Sequence, residues 1–202
     1  MGSRRLGRRR LYALDKLGQD SDMTEGVGVT KAIGHSKLSR DGTQVTTEIY
    51  VDLGTSGGTM ASSGSAGATV LGLSSSSGPV GAAYLCQLSD TVNGIIHDVE
   101  LTCVEDVAGS GEPDIDVIYS DSATLRFASP TGSGGATSVL LVAGGTDLVK
   151  GDNSTGTVDN NAASGKYLYL ATGQGAGNPD DGAYTGGKLV LRLYGSVVPD
   201  DV

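Results

Sequence analysis

From residue 45 to residue 194 the chain repeats one pattern: short stretches that alternate aliphatic and polar residues, set apart by glycine-rich gaps. An alternation of period two puts successive side chains on opposite faces of an extended strand, whereas a helix needs a period near 3.6. In Thr47-Glu48-Ile49-Tyr50-Val51-Asp52-Leu53, residues 47, 49, 51 and 53 share one face and Glu48, Tyr50 and Asp52 share the other. That is the signature of a half-buried antiparallel strand. The same reading applies to 95–107, where Val99, Leu101 and Cys103 alternate with Asp98, Glu100 and Thr102, and to 188–194, where Leu189, Leu191 and Leu193 point inward.

Further strands are expected at 68–73, 82–88, 114–119, 125–128, 139–143 and 166–170. Asn93-Gly94 is a two-residue hairpin signal, and the turn at 109–113 is expected to pair strand 95–107 with strand 114–119 as a second hairpin. The glycine-rich stretches 54–67, 151–165 and 173–187 read as loops, and residues 20–44 as a polar, irregular segment with a turn at Asp41-Gly42. Eight or nine strands with this punctuation predict an all-β fold, a single antiparallel β-sandwich with jelly-roll-like winding. No repeat of fixed period argues for a propeller or solenoid. With one phenylalanine and no tryptophan, the core is expected to be thin and built from Val, Leu, Ile and Ala.

Charge divides the chain in two. Residues 1–20 hold six basic and two acidic groups, net +4, and the remainder holds eight basic and 21 acidic groups, net −13. The organisation that follows is a basic arm and linker over 1–44 and a sandwich over 45–202. Arg4, Arg5, Arg8, Arg9 and Arg10 make a dense cationic cluster, and Leu11, Tyr12, Leu14 and Leu17 follow it as an apolar patch. Leu11, Leu14 and Leu17 have the spacing of one helical turn after another, but a piece this short is not stable alone in water. It needs a surface, either a neighbouring subunit or its own sandwich, and a charge cluster followed by such a patch suits a segment that folds on binding. These nine residues are the candidate docking site, with the guanidinium groups suited to bidentate bonds with carboxylates or phosphates.

The residues for catalysis are scattered. His35 and His97 are the two histidines, and neither sits near a second one or a Cys-x-x-Cys pair, so no zinc site is expected. Gly64-Ser65-Ala66-Gly67 and Gly132-Ser133-Gly134 lack the strand–turn–helix setting of a nucleophile elbow. Gly173-Gln174-Gly175-Ala176-Gly177 lies between strands and has no helix to hold a phosphate. Glu112, Asp114 and Asp116, the pair Asp180 and Asp181, and the pair Asp200 and Asp201 read as a solvated acidic surface rather than a calcium site. Cys86 and Cys103 read as small core residues, and Asn153-Ser154-Thr155 as an incidental sequon. No apolar run approaches the roughly 20 residues of a membrane span, and no apolar region follows the basic start as in a secretory signal. The expectation is a non-enzymatic protein without cofactor or metal, made and assembled inside a cell and touching no membrane.

The start Met1-Gly2-Ser3-Arg4-Arg5-Leu6-Gly7-Arg8-Arg9-Arg10-Leu11-Tyr12-Ala13-Leu14 resembles that of small structural proteins of tailed bacteriophages. The stretch Tyr184-Thr185-Gly186-Gly187-Lys188-Leu189-Val190-Leu191-Arg192-Leu193-Tyr194-Gly195 resembles the closing strand of β-sandwich capsid decoration, or cement, proteins. The resemblance implies a virion structural protein on the capsid surface, assembled in the host cytoplasm. It would bind the major capsid protein lattice and stabilise the head, as a homo-oligomer with a trimer favoured and nucleic acid not expected as partner. Two rivals stay open. One is a shell-forming jelly-roll coat protein whose arginine arm binds genome. The other is a carbohydrate-binding head-fibre or tail adhesion module, for which Tyr50, Tyr167, Tyr169 and Tyr184 are the candidate exposed aromatics.

Overall fold

The computed structural model of the chain describes residues 23–54, 59–63, 68–135, 137–143, 147–158, 163–173 and 182–197. Arg4, Arg5, Arg8, Arg9, Arg10, Leu11, Tyr12, Leu14 and Leu17 lie outside the described residues, as do Asp180, Asp181, Asp200 and Asp201. The described chain is all-β, with two antiparallel sheets and one short 3-10 turn at Ser133–Gly135. No helix among the described residues is long and apolar enough to cross a membrane.

In chain order the first strands are β1 (Ile33–Asp41), β2 (Gln44–Asp52), β3 (Thr59–Ser62), β4 (Gly72–Ser75), β5 (Gly78–Pro79) and β6 (Cys86–Gln87). Then come β7 (Ile95–Gly109), β8 (Ile115–Ser120), β9 (Ser138–Val142), β10 (Asn153–Thr157), β11 (Tyr167–Thr172) and β12 (Gly182–Ser196). The large sheet is organised on β12. Its length lets it pair with β7 along one edge and with β2 along the other, while its first two residues pair with β3. Strand β1 extends the sheet beyond β2, β10 beyond β7, and β4 and β5 beyond β3. The small sheet runs β6-β11-β8-β9.

The alternation read in the sequence becomes rungs across the three central strands. Thr47, Leu193 and Val99 stand in register, then Ile49, Leu191 and Leu101, then Val51, Leu189 and Cys103, all buried. Cross-strand contact of this kind is the unit of sheet stabilisation. The intervening residues form polar rungs on the outer face: Glu48, Arg192 and Glu100, and beside them Thr46, Tyr194 and Asp98.

Several expectations are corrected. The segment read as irregular contains the nine-residue edge strand β1, closed onto β2 by Gly42-Thr43. Gly42 has φ +61, as a hairpin turn with glycine first requires. Strand β1 has only Ile33 and Leu38 as aliphatics, so backbone pairing rather than an apolar face defines it. The same holds for β10, which lies in the expected 151–165 loop and contains no aliphatic residue. Strands β7 and β8 do not form a hairpin, because they belong to different sheets. Asn93-Gly94 likewise joins sheets rather than closing a hairpin. Asn93 is buried, its Oδ1 accepts from the Ser89 amide at 2.9 Å and its Nδ2 donates to Thr47 Oγ1 at 2.9 Å. The expected strands at 82–88 and 125–128 shrink to β6 and to an isolated bridge between Ala82 and Arg126. Twelve described strands replace the expected eight or nine because polar edges and short connecting pairs carry no hydrophobic period.

Candidate functional site

The chain enters the described structure at Met23 and at once lies against another segment. Gly26 donates its amide to the Tyr84 carbonyl at 2.8 Å, and Gly28 donates to Ala82 at 2.7 Å. A Cβ on either glycine would overlap the Ala82 carbonyl, so only glycine permits this approach. Val27, between them, is left 65% exposed. On the far side of the same segment, the Leu85 amide donates to Leu168 and the Leu88 amide to Lys166, which draws residues 85–88 along β11. Tyr167 is thereby in register with Gln87, and its ring meets that of Tyr84 edge-on, centroids 5.1 Å apart.

These approaches form an open groove of about 570 Å³, to whose lining Tyr84, Tyr167, Met23, Val27 and Val92 contribute. That volume falls within the roughly 300–1,000 Å³ of small-ligand pockets. Among the described residues Glu25 is the one charged side chain that lines it. Both ring faces and both valines are partly open to water, so the groove offers apolar surface to an occupant with little rearrangement.

The outer face of the large sheet has a different character. Arg192 Nε donates to Glu48 Oε2 at 2.9 Å and its Nη1 lies 3.6 Å from Glu100 Oε1. Glu100 also accepts from Tyr194 OH at 2.5 Å and from Asn153 Nδ2 at 2.9 Å. Lys188 pairs with Glu105 farther along the same strands. The Tyr194 hydroxyl, then Asn153 and Arg192, hold the Glu100 carboxyl below the usual carboxylate range, and Glu100 in turn raises the Tyr194 phenol. The network satisfies itself across four strands, β2, β12, β7 and β10, which makes it a lock on the sheet rather than a waiting ligand site.

A carboxylate with a depressed folded-state pKa adds stability that is fully present above its unfolded value, about 4.3 for Glu. That stability is lost as pH falls through the folded value. Denaturation midpoints measured between about pH 6 and pH 3 should therefore fall less steeply for Glu100→Gln than for the wild type. Parallel acid limbs would remove Glu100 from the account.

The other candidate residues are dispersed. His97 points outward on β7 and its Nδ1 lies 2.8 Å from Asp98 Oδ2. His35 is on β1, remote from it in the chain. Cys86 and Cys103 are buried free thiols, and burial pushes the Cys86 thiol up to about 12. Gly132-Ser133-Gly134 runs into the 3-10 turn, away from any nucleophile elbow. Asp114 and Asp116 overturn the reading of a solvated acidic face: both are 7% exposed, because β8 is covered on both faces. Among the described residues no group of three or more His, Cys, Asp or Glu side chains is placed to hold a metal ion. Of the four tyrosines considered as aromatic platforms, Tyr169 and Tyr184 are core residues, whose hydroxyls donate to the carbonyls of Ser122 and Glu112 at 2.6 and 2.7 Å. Tyr50 and Tyr167 are half-buried, and Tyr167 alone of the four lines the groove.

Sequence reasoning missed Tyr84, Val27 and Val92 as site residues. One signal was present: Val27 stands between Gly26 and Gly28, the mark of a backbone held close to another chain segment. Comparison with protein-family models, with curated proteins and with solved structures found no match.

Proposed function

We propose that this chain is a structural docking protein of the capsid-decoration type, which binds an acidic lattice of major capsid protein through its N-terminal arm and reinforces it. The observation that carries this reading is where the arm is rooted. Met23 lies at the lip of the tyrosine-lined groove, so five arginines and a leucine–tyrosine patch leave an acidic sandwich beside an exposed apolar recess. A body of net charge −13 repels polyanions, which leaves the arm as the segment suited to acidic partners. The locked polar face of the large sheet supports the same reading, since a reinforcing protein works by holding its own shape under load.

An arm of 20 residues spans up to about 70 Å when extended, enough to cross a seam between subunits. Many copies on a lattice would multiply a modest contact into firm attachment. Deleting residues 1–20 is expected to abolish co-sedimentation with purified heads that lack this protein, while the circular dichroism of the β-domain is retained. Undiminished co-sedimentation would overturn the proposal.

A further inference from the structure

We propose that in the free protein the groove is filled by the chain's own arm, with Leu11, Leu14 and Leu17 laid across Tyr84 and Tyr167. This goes beyond the lattice reading and stands without it. The groove sets the aromatic and apolar Tyr84, Tyr167, Met23, Val27 and Val92 beside the polar Thr24, Gln87 and Ser89, and Val27 and Val92 are left 65% and 37% exposed. A stripe of three leucines is the complementary surface, and covering the two valines and the two rings removes their exposed apolar area from water. Burying a valine fully is worth about 1.5–3 kcal/mol.

Connectivity selects the chain's own arm over that of a second copy. Leu17 precedes Met23 by six residues, and Met23 is itself part of the groove wall. A flexible link of six residues has a root-mean-square span of about 13 Å, which gives an effective concentration in the millimolar range. A second copy would have to reach that concentration in solution to compete. The link contains Gly18, Asp20 and Ser21, residues that favour chain reversal, as folding back over Met23 requires. Charge does not oppose it: Glu25 is the one charged side chain among the described residues of the groove, and within the leucine stripe Asp15 and Lys16 offset each other. Parking the apolar patch in this way shields it from wrong partners, and a true partner must out-compete the groove for it, at a cost in apparent affinity.

Trypsin reports on this directly in the full chain, because Lys16 lies inside the proposed contact and Arg8, Arg9 and Arg10 precede it. The test compares the Lys16–Leu17 bond in the wild type and in a Val27→Asp/Val92→Asp variant, so that the cleaved sequence is identical. Both valines are solvent-facing, and the variant's thermal midpoint serves as the check on folding. Cleavage at Lys16 is expected to accelerate about tenfold in the variant, with cleavage after Arg5, well upstream of the contact, unchanged. The wild-type protection should persist through about a hundredfold dilution, as an intramolecular contact must. Equal rates at Lys16 in the two proteins would overturn the proposal. Protection that fades on dilution would also overturn it, by assigning the groove to the arm of a second copy. Neither result depends on binding to heads, so it can fail while the lattice reading stands.

Discussion

The Gly156→Ala protein should unfold about 6–12 °C below the wild type, a loss of about 3 kcal/mol at the midpoint. Gly156 lies in β10, paired with Val99 of β7. A Cβ at this position would overlap the carbonyl oxygen of Leu141 and lie 2.7 Å from its carbonyl carbon, with the Val142 side chain 3.3 Å away. Leu141 and Val142 belong to β9 of the small sheet, so this is where an edge of one sheet closes on an edge of the other. The obstacle is backbone, and moving it means parting the two sheets. Gly186, in β12, provides the contrast. Its φ is not left-handed, and a Cβ there would make ordinary contacts with Ala108 at 3.5 Å and Glu105 at 3.7 Å. Gly186→Ala should therefore be neutral or stabilise by up to about 1 kcal/mol, since alanine restricts the unfolded chain. Thermal unfolding of the two variants side by side separates the causes. A wild-type midpoint for Gly156→Ala would mean that the sheets do not close there, and equal losses in both would implicate loss of glycine flexibility instead.

The contrast between these two glycines shows what the sequence made legible. Strands β2, β7 and β12 could be read because each has one face on the core and one on water, so that Ile49, Leu191 and Leu101 alternate with Glu48, Arg192 and Glu100. Strand β10 could not, because an edge strand of Asn, Ser, Thr and Gly is held by backbone pairing and carries no apolar period. Strand β8 misleads in the opposite direction. Asp114 and Asp116 alternate with Ile115 and Val117 as though one face were wet, but the strand is covered on both sides. Sheet membership was also hidden. The turn between β7 and β8 has the residues of a hairpin, and whether the chain turns back on its own sheet or crosses to the other depends on partners distant in sequence.

The candidate site divides along the same line. Its arm is local in sequence, so composition alone marked the five arginines and the leucine–tyrosine patch. The groove is assembled from residues 23–27 and 82–92 with Ala123 and Tyr167, and backbone bonds join segments more than fifty residues apart to form it. No window of sequence contains it. A docking segment legible in sequence and a receptor surface legible only in the fold are what the parked-arm proposal joins.

Tyr169 supplies the largest test of the core. It is fully buried on β11, its ring meets Tyr84 edge-on with centroids 6.3 Å apart, and its hydroxyl donates to the Ser122 carbonyl at 2.6 Å. Tyr169→Ala removes an aromatic ring from a closed site and should cost about 3–5 kcal/mol. Tyr169→Phe keeps the ring and leaves one carbonyl without its donor, a loss of about 1 kcal/mol. Burial raises the phenols of both Tyr169 and Tyr184. A phenol whose folded-state pKa is raised contributes stability that is fully present below its unfolded value, about 10, and is lost as pH climbs above it. Denaturation midpoints should thus fall above about pH 10, less steeply in Tyr169→Phe than in the wild type. In an ultraviolet titration, Tyr169 and Tyr184 should ionise only as the sandwich opens, giving a late step that coincides with loss of the β-sheet signal. Ionisation of every tyrosine in the native fold, or a tolerated Tyr169→Ala, would return Tyr169 to the surface and with it the reading of this strand as an aromatic platform for sugars.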